Sequence, residues 1–516
     1  MGKTNMEGLI GVLKSWSVHT VAAVVFLYIL LKILKRGRHK SGRRPPAPPC
    51  WPLIGHFHHL ISGLPHHNLA KIAEKYGPIV WLELGAASVV VVSSSDIAKE
   101  ILKTQDHIFA SRPPAILGEM LFANGLDLLF SPLNDNFREA RKIFTTELLS
   151  QQRIDSFQDL RREFFSTTMQ RAFEEGDANR FINLAEIMHE QFMSLSTRML
   201  YGKDGRAHSK QLVEFIRILT TTGWFVVEEY FPFLKPFDPS GQVKRLKNLG
   251  ENYFHLMDSV IDQHLKENSN SNSNREQNFL DVLLAMSNFT RVQVKVLLLD
   301  ILLAGGDTSP DTIVWAIAEL LRHPDVMERL QNELDDVIGK ERLVEEEDLK
   351  KLEYLQAVVK ETLRLHPIGA LGVPHFSTEA TKVAGYDIPA STRVMINLYA
   401  IGRDPKVWEN PQKFDPLRFL NSPIDVKGQH YEVLPFSSGR RKCPGMNLAL
   451  VSVAYNIAQL VHACSFSLPE GMTGLDVDLE ESFGTTLCKR NPLNLLLKRR
   501  LPTHVYGKAG LSVSAQ

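Results

Sequence analysis

The sequence predicts a mainly α-helical protein, in which one large domain with a minor β region follows a single membrane-spanning helix at the N-terminus. Three observations support this prediction. Apolar residues recur at three- and four-residue spacing through most of the chain between Ile97 and Leu365, as they do on the buried face of a helix. Residues 15–31 contain no Lys, Arg, Asp or Glu. Charge is unevenly distributed, since residues 1–44 carry +8 and the rest of the chain carries −7.

Composition narrows the class of protein. Of the 516 residues, 44% are hydrophobic and 23% are charged, which excludes a disordered or collagen-like chain. A basic head beside an apolar run indicates a membrane and not a nucleic acid as partner. Four cysteines are too few for a disulfide framework at this length, so we expect the main body to lie in a reducing compartment.

The first 35 residues are interpreted as a signal anchor. With Ile33 and Leu34, the apolar run approaches the ~20 residues that span a bilayer. It ends in KILKRGRHKSGRR and not in small residues, which argues against a cleavable signal peptide. The alternative, a buried core helix, is hard to reconcile with the seven cations that follow. Those cations should stay on the cytosolic side and leave the short N-terminus across the membrane.

Residues 36–52 form a basic and proline-rich spacer, because the five prolines of RRPPAPPCWP favour an extended, semi-rigid chain. Residues 53–516 form the main domain. Within it, GPIVWLELGAASVVVVSSSD predicts a short hairpin, and helices follow as far as Leu365. The tract NSNSNSN, residues 268–274, is too polar to bury surface and predicts a flexible loop. Strands are expected between about Val373 and Asn397, and a final helix from about Gly445 to His462 precedes a β-rich tail.

The segment FSSGRRKCPG, residues 436–445, is the most informative part of the sequence. It places a cysteine in a glycine-bounded loop just before an apolar helix, and we expect Cys443 at the N-cap and Pro444 at the first helical position. The positive helix end and the three preceding basic residues should favour the thiolate over the thiol. A thiolate in this setting suits a nucleophile or a metal ligand. A capped helix with an incidental cysteine is the alternative.

The whole pattern F-x-x-G-x-R-x-C-x-G resembles the haem-binding loop of the cytochrome P-450 monooxygenases. The resemblance makes Cys443 the axial ligand of the iron of haem b and implies that the other fixed positions surround the cofactor. It extends from the anchor to about Leu501 and is closest to plant microsomal members of the A-type clan, which includes flavonoid and phenylpropanoid hydroxylases. The implied fold is the cytochrome P-450 fold, a helical haem-enclosing domain with small β-sheets. The other fixed positions are Phe436, Gly439, Arg441 and Gly445.

Further motifs follow in the order that this family shows. In KETLRLHP, Glu361 and Arg364 share one helix face and can pair. An E-x-x-R pattern alone is usually a solvated ion pair, but FDPLRF resembles the family segment whose arginine, here Arg418, completes a Glu–Arg–Arg structural triad.

The segment AGGDTS lies in an apolar helix, where two glycines cost ~2 kcal/mol relative to alanines. The resemblance implies that the helix opens locally over the haem beside Ala304. It also implies that Asp307 and Thr308 form an acid–alcohol pair that relays protons to dioxygen. A kinked core helix with a capping Asp and Thr is the alternative. Pro310 should remove one hydrogen bond from this helix.

The resemblance also assigns contacts to the haem propionates. Arg141 in NFREARK and His375 in VPHFS align with family positions that bind them, and Arg441 adds a third contact. Phe137 replaces the usual tryptophan and so lacks an indole N–H donor. For His375, a surface role is the alternative.

The predicted substrate pocket is mainly apolar, which favours a lipophilic molecule such as a phenylpropanoid or flavonoid, a terpenoid or a fatty-acid-like compound. Its walls are expected after the E-x-x-R helix, before AGGDTS and at the tip FGTTL. The residues are Leu303, Ile368, Ala370, Leu371, Val373, Phe483, Thr485 and Thr486.

The resemblance implies a monooxygenase that hydroxylates this substrate with O2 and electrons from NADPH. The electrons would arrive through NADPH–cytochrome P-450 reductase, with cytochrome b5 as a further partner, and the chain would lie at the endoplasmic reticulum membrane with a cytosolic catalytic domain. The expected docking face is basic, and no nucleic acid partner is expected. Two alternatives are a haem-thiolate isomerase or dehydratase that needs no external electrons, and a non-catalytic membrane-anchored haem or lipid carrier. The docking residues are Arg138, Lys142, Arg440 and Lys442.

Overall fold

The structure, a computed structural model, describes residues 42–202, 209–222, 226–269 and 277–508. The predicted anchor, residues 1–35, lies outside the described residues, as do the start of the spacer and most of the NSNSNSN tract. The described chain is mainly helical with small sheets, as the sequence predicts. The described end of the spacer packs on the body. The backbone N–H of Trp81 donates to the Pro46 carbonyl over 2.8 Å, and the Arg44 guanidinium carbon lies 4.8 Å from the centre of the Trp81 ring.

Nineteen α-helices can be numbered in chain order through the described residues. They are α1 His58–Ile61, α2 Pro65–Tyr76, α3 Ser95–Lys99, α4 Asp106–Phe109, α5 Ile116–Leu121, α6 Asp135–Ile143, α7 Gln151–Ser156, α8 Gln158–Asp177, α9 Leu184–Tyr201, α10 Ser209–Thr222, α11 Val227–Tyr230, α12 Gln242–Ser269, α13 Phe279–Ala285, α14 Arg291–Arg322, α15 Pro324–Ile338, α16 Glu353–Leu365, α17 Leu398–Ile401, α18 Met446–Ala463 and α19 Thr503–Lys508. Short π-helical turns continue α3 and α6, at Glu100–Thr104 and Phe144–Leu148. Short 3₁₀ turns are Pro232–Leu234, Glu346–Lys351, Pro416–Phe419, Gly439–Arg441 and Gly474–Asp476.

The described strands form four small sheets. The largest has the order β1-β2-β7-β4, in which β1 and β2 are the predicted hairpin and β2 pairs in parallel with β7. A three-stranded sheet has the order β3-β11-β8, and β5 with β6 and β9 with β10 form two antiparallel pairs. The strands are β1 Ile79–Leu84, β2 Ala87–Val92, β3 Ile182–Asn183, β4 His375–Phe376, β5 Thr381–Val383, β6 Tyr386–Ile388, β7 Arg393–Ile396, β8 Cys464–Ser467, β9 Glu481–Phe483, β10 Leu487–Lys489 and β11 Asn494–Arg499.

Helix α14 is the longest of the described helices and runs through the middle of the domain. It begins with a capping box in which the side chains of Thr290 and Gln293 each accept the other residue's backbone N–H. Its N-terminal half packs in an apolar cluster with α9, α10, α12 and α13, and its C-terminal half packs in a second cluster with α8, α16 and α18. Because it joins the two clusters, residues near its centre are held by both halves of the core.

Helix α18 follows the cysteine loop and is also a core helix. Within the described part of the chain it alone is long and apolar enough to cross a membrane by length and composition, but 72% of it is buried inside the domain. Its apolar character is therefore explained by burial.

Candidate functional site

The cysteine loop differs from the expected helix cap. Helix α18 begins at Met446 with Gly445 as its N-cap, so Cys443 lies two residues before the cap and the predicted N-cap position is wrong. The Cys443 N–H donates to the Phe436 carbonyl over 2.9 Å, which closes the loop on itself before the helix starts. The loop depends on Gly439, whose φ of +68° is accessible to glycine and whose added Cβ would lie 2.4 Å from the Leu102 carbonyl oxygen.

The Cys443 thiol is partly exposed, although protein atoms surround it closely. Burial raises the pKa of the thiol, while the Gly445 N–H, the charges of Arg141 and Lys442, and the Met446 N–H act in the opposite direction. Burial exceeds these effects, so the expectation that the protein alone favours the thiolate is not met. A coordinated metal ion would reverse this balance, because a thiol that binds a metal loses its proton.

Three cationic or basic side chains meet beside the loop in a group that we call the cationic cluster: Arg112, His375 and Arg441. The Arg441 Nε–H donates to the Ala110 carbonyl over 2.6 Å, and its remaining N–H groups reach the carbonyls of Leu128 and Ser131. One nitrogen of Arg112 donates to the carbonyls of Val373 and Pro374 over 2.9 and 2.8 Å. The His375 Nδ1–H donates to the Phe109 carbonyl over 3.0 Å. Backbone carbonyls therefore fix all three side chains.

Burial and mutual repulsion dominate the electrostatics of the cationic cluster. Burial and the charges of Arg112 and Arg441 lower the pKa of His375 to about 3. Burial likewise lowers the pKa of Arg441 to about 10, with Asp127 opposing this change. Asp127 compensates only in part, because burial raises its own pKa to about 6. A buried excess of positive charge is costly, and bound carboxylates would neutralise it.

Arg141 and Phe137, both on α6, border the same region. An Arg141 N–H donates to the Lys442 carbonyl, one residue before Cys443, so this arginine lies against the cysteine loop. The buried Phe137 ring lies under the Arg441 guanidinium, 3.7 Å from its carbon, which is a cation–π contact. The phenylalanine thus orients Arg441 without an indole N–H.

These features fit a haem. A thiolate suits iron, and the cationic cluster with Arg141 suits the two propionates. A Cβ added to Gly445 would meet open space, with only the Cys443 sulfur within 4 Å at 3.9 Å, so no described protein atom requires a glycine there. A flat group beside the sulfur would require it.

The central turns of α14 expose residues in an otherwise buried helix. Ala304 is exposed, while Gly305, Asp307 and Thr308 are half-buried, although most of the helix on either side is buried. The Thr308 hydroxyl donates to the Ala304 carbonyl over 2.8 Å. This exposed stretch is where the resemblance places the surface over the cofactor.

Helix α14 does not open locally at its glycines. It is α-helical from Arg291 to Arg322 and continues through Pro310, so the expected opening is not present. The glycines have a packing reason instead. A Cβ on Gly306 would lie 2.3 Å from the Met193 sulfur, and one on Gly305 would lie 3.1 Å from the Ser196 Oγ. The two glycines therefore allow α9 to approach α14 closely.

A charged group that the sequence did not reveal lies beside Asp307. The His189 Nε2 on α9 is 3.3 Å from the Asp311 Oδ1 and 3.9 Å from the Asp307 Oδ1. Burial raises the pKa of Asp307 to about 6, aided by Asp311 and opposed by His189. A single histidine in the helical run LAEIMHEQF carries no pattern that would have identified it. Arg112, by contrast, lies in FASRPP and could have been found from its motif.

The predicted triad residues form one buried network. The Arg364 Nε–H and one Nη–H donate to the two Glu361 oxygens, each over 2.7 Å, and both side chains are fully buried. The Arg418 Nε–H reaches Glu361 over 3.3 Å. Arg364 also donates to the carbonyls of Gly402, Pro411 and Lys413, so the pair holds the long loop that leads to the cysteine motif.

The predicted pocket residues are only partly brought together. The Leu487 N–H donates to the Ile368 carbonyl and the Thr486 hydroxyl to the Asp311 Oδ2, both over 2.8 Å, which joins the FGTTL tip to the chain after α16 and to α14. The Phe483 ring instead stacks on His66 of α2 and is 40% exposed. Ala370 and Leu303 are buried, and Leu371 is half-buried. The Val373 carbonyl accepts a hydrogen bond from Arg112, and Thr485 lies at the FGTTL tip.

The predicted docking face is partly neutralised. Arg138 and Lys142 on α6 are exposed, and so is Arg440. Arg138 pairs with Asp135, and Arg440 pairs with Asp106 over 2.6 Å. The net positive charge of this face is therefore smaller than the sequence suggests.

Comparisons with known proteins agree with this geometry. The family model described as cytochrome P450, here written P-450, matches residues 45–496. The chain is 39% identical over 493 residues to cytochrome P-450 71A1 of Persea americana, covering 93% of this chain and 98% of the relative. It is 37% identical over 494 residues to amorpha-4,11-diene 12-monooxygenase of Artemisia annua, covering 94% and 99%.

A solved structure shares the fold. A zebrafish cytochrome P-450 determined with abiraterone aligns with a TM-score of 0.71 over 84% of this chain and 99% of its own, at 24% identity. Such a likeness shows a common architecture.

Proposed function

This chain belongs to the cytochrome P-450 family and is an oxidoreductase of the monooxygenase type, and from that premise we propose that it hydroxylates a lipophilic small molecule with O2 and reductase-delivered electrons. The observation that carries the proposal is the half-buried Cys443 in a glycine-bounded loop beside Arg141 and the cationic cluster. No other described cysteine lies in such a loop.

In this proposal, Cys443 binds the iron of haem b, and Arg112, Arg141, His375 and Arg441 bind its propionates. Bound haem supplies the activation of dioxygen. A carboxylate near His375 would raise the pKa of this residue, because the imidazole already donates its Nδ1–H to Phe109 and can donate a second hydrogen only as imidazolium. Phe436, Gly439, Gly445 and Ala304 shape the space around the ring.

Proton supply belongs to Asp307 and Thr308. A carboxyl with a pKa of about 6 can give and take a proton near neutral pH, which general acid catalysis needs. The Thr308 hydroxyl, now bonded to the Ala304 carbonyl, can turn to donate elsewhere, because that carbonyl belongs to the helix itself.

We propose a terpenoid-like hydrocarbon as the first substrate class to test. The name of the Artemisia relative states that it oxidises a diene hydrocarbon. Support within this chain comes from the apolar pocket positions Leu303, Ile368, Ala370, Leu371 and Val373. Phenylpropanoids, flavonoids and fatty-acid-like molecules are the other classes for the same panel.

The proposed partners and location follow from the N-terminal sequence and the proposed reaction. The anchor, residues 1–35, would hold the domain, residues 53–516, at the cytosolic face of the endoplasmic reticulum, with residues 36–52 between them. NADPH–cytochrome P-450 reductase, and cytochrome b5 where it is present, would dock near Lys142 and Lys442, because the neighbouring Arg138 and Arg440 are already paired with Asp135 and Asp106.

The decisive experiment is an absorption spectrum of the reduced, carbon-monoxide-bound protein in microsomes that express the full chain. We expect a thiolate-type Soret band, which should disappear in Cys443→Ala. Cys488→Ala is the matched control, because Cys488 is also half-buried and its substitution should leave the band unchanged. Absence of the band from the unaltered protein would overturn the haem-thiolate proposal.

Turnover then separates the reaction classes. The chain is incubated with reductase and a panel of terpenoids and phenolics, with and without NADPH. A hydroxylated product that requires NADPH supports the monooxygenase. A rearranged product formed without NADPH would point to the isomerase or dehydratase alternative.

A further inference from the structure

Helix α9 presents a charged histidine to the two carboxyls of α14 that lie one turn apart. His189 is 32% exposed at its side chain, whereas Asp307 is 15% and Asp311 is 4% exposed. The histidine therefore lies between solvent and the buried carboxyls. The close approach of the two helices at Gly305 and Gly306 sets this separation.

The hydrogen-bond geometry favours the imidazolium form of His189. Its Nδ1 lies 2.7 Å from the Ala185 carbonyl oxygen, which only accepts, so Nδ1 carries a hydrogen. Its Nε2 faces the oxygens of Asp311 and Asp307 at 3.3 and 3.9 Å, and a lone pair there would be repelled by them. Both nitrogens are therefore donors.

The surrounding charges support the same state. Burial alone would lower the pKa of His189, but Asp311, the Ala185 carbonyl and Asp307 together raise it to about 9. From β10, the Cys488 thiol lies near both carboxyls, and burial raises its pKa to about 11, so it stays neutral. From α8, Arg171 is paired with Glu190 over 2.6 Å. Asp307 and Asp311 are thus the two carboxylates that act on the charge of His189.

The two carboxyls have different roles. Asp311 is occupied on both oxygens, since Oδ1 pairs with His189 and Oδ2 accepts the Thr486 hydroxyl over 2.8 Å. Asp307 lies within reach of His189 only through a longer contact that one water can bridge. Asp311 holds the imidazolium, and Asp307 is the carboxyl that can exchange its proton.

We propose that His189 is the residue through which protons enter the pair of Asp307 and Thr308 from solvent, with Asp311 holding it in position. This deepens the proposed monooxygenase function and rests on it. In the step, the Nε2 proton of the imidazolium passes to the Asp307 carboxylate, which leaves a neutral imidazole and a neutral acid. The imidazole keeps its Nδ1–H on Ala185 and takes a proton at Nε2 from a hydronium ion of the solvent, which becomes water, so no electron moves and charge is conserved.

The transfer is uphill, because the pKa of His189 lies above that of Asp307, so the imidazolium is the resting form. Thr486 links Asp311 to the tip of the predicted substrate pocket. Substrate contact there can therefore alter how firmly His189 is held.

The first test measures protonation without turnover. Full-length holoprotein is pulsed across a pH series with diethylpyrocarbonate, which reacts with histidine only when the imidazole is neutral, and the modified peptides are quantified by mass spectrometry. We expect the labelling midpoint of His189 near pH 9 and at least one pH unit lower in Asp311→Asn. A midpoint that does not move in Asp311→Asn would overturn the proposal.

The second test measures proton supply without a known substrate. Reductase and NADPH are added to the holoprotein, and the share of electrons released as hydrogen peroxide instead of water is determined. We expect His189→Gln to raise that share several-fold and His189→Lys, which retains a transferable proton, to restore it in part. His323→Gln is the matched control, because His323 is 29% exposed and pairs with Glu319 of the same α14 helix over the same 3.3 Å.

The outcomes separate this proposal from the proposed function. An unaltered protein without a thiolate-type Soret band would overturn both. A normal band in all variants with equal peroxide shares in His189→Gln and His323→Gln would overturn the role of His189 alone.

Discussion

At the scale of single residues, two threonines one turn apart on α14 make the same local bond. Thr308 donates to the Ala304 carbonyl over 2.8 Å, and Thr312 donates to the Thr308 carbonyl over 2.9 Å. Thr312 is buried, whereas Thr308 lies on the exposed central stretch. Only Thr308 can therefore serve the pocket, and the two residues form a natural comparison.

We predict that Thr308→Ala retains the thiolate-type Soret band but releases several-fold more hydrogen peroxide per NADPH. The reason is that the hydroxyl next to Asp307 is lost while the helix stays intact. Thr312→Ala removes an equivalent bond and should leave the peroxide share unchanged. An equal rise in both variants would mean that the helix, and not the hydroxyl, matters.

The ion pair of His189 and Asp311 should also affect stability in a pH-dependent way. Because the folded pKa of about 9 exceeds the unfolded value of about 6.5, the pair stabilises fully below pH 6.5, and this stabilisation is lost as the pH rises through 9. Allowing for solvent screening at a side chain about one-third exposed, the effect is about 1–2 kcal/mol.

The measurement is the free energy of unfolding of His189→Gln relative to the unaltered protein, by urea at pH 6.5 and pH 9.5. The loss should be largest at pH 6.5 and nearly vanish at pH 9.5. His504→Gln, which removes an exposed pair with Glu341, should cost less than ~0.5 kcal/mol at both pH values. A pH-independent loss in His189→Gln would contradict the assignment.

The sequence identifies a site residue most readily when the residue belongs to a contiguous motif. Cys443 and Arg441 stand in one contiguous pattern, so a short segment was sufficient to single them out. Arg112 and His189 act through partners that are far along the chain, at residues 373–374 and 307–311. No local periodicity records such contacts. The packing of α9 on α14 brings His189 to its partners, whereas only the motif FASRPP marks Arg112 in the sequence.

At the scale of secondary-structure elements, contacts that the local pattern does not record also determine where a helix begins. The periodic pattern predicts the body of α18 within one residue of its observed span, Met446–Ala463. It misplaces the cap, because the Cys443 N–H is used by the Phe436 carbonyl and the chain turns helical only afterwards. The β1–β2 hairpin is predicted correctly, since alternation and the Gly85 turn are local signals.

Helix α14 shows a tertiary reason for residues that look locally unfavourable. A glycine inside a helix lowers stability by about 1 kcal/mol relative to alanine. Here the absence of a side chain allows α9 to approach α14 closely. We predict that Gly306→Ala destabilises the fold by about 1–3 kcal/mol, because its Cβ would meet the Met193 sulfur at 2.3 Å.

Thermal unfolding of four variants tests this. Gly305→Ala should be milder, because its nearest neighbour is the Ser196 Oγ at 3.1 Å. Met193→Ala should remove the obstacle, so that adding Gly306→Ala to it is neutral or stabilising. If Gly306→Ala remains equally harmful without the Met193 side chain, the glycine serves another purpose than helix approach.

At the scale of the whole molecule, the net charge of +1 conceals a basic head of +8 and a body of −7. The body has its own core, with α14 between two apolar clusters, and the cationic cluster and Cys443 meet beside it. The two clusters are built from many buried apolar side chains of the described part of the chain. The head should therefore determine where the enzyme lies and not whether it folds.

We predict that removing residues 1–35 leaves the reduced carbon-monoxide spectrum unchanged and shifts the protein from the carbonate-resistant membrane pellet towards the soluble fraction.

The orientation of the anchor is tested with the sequon Asn288-Phe289-Thr290, whose asparagine is exposed. With the cations after the apolar run retained in the cytosol, this site stays unglycosylated. Exchanging Lys32, Lys35, Arg36, Arg38 and Lys40 for glutamate should let the body translocate and produce a band that peptide-N-glycosidase shortens. Glycosylation of the unaltered chain would mean that the body lies in the lumen and that the anchor has the opposite orientation. A body in the lumen could not meet a cytosolic reductase.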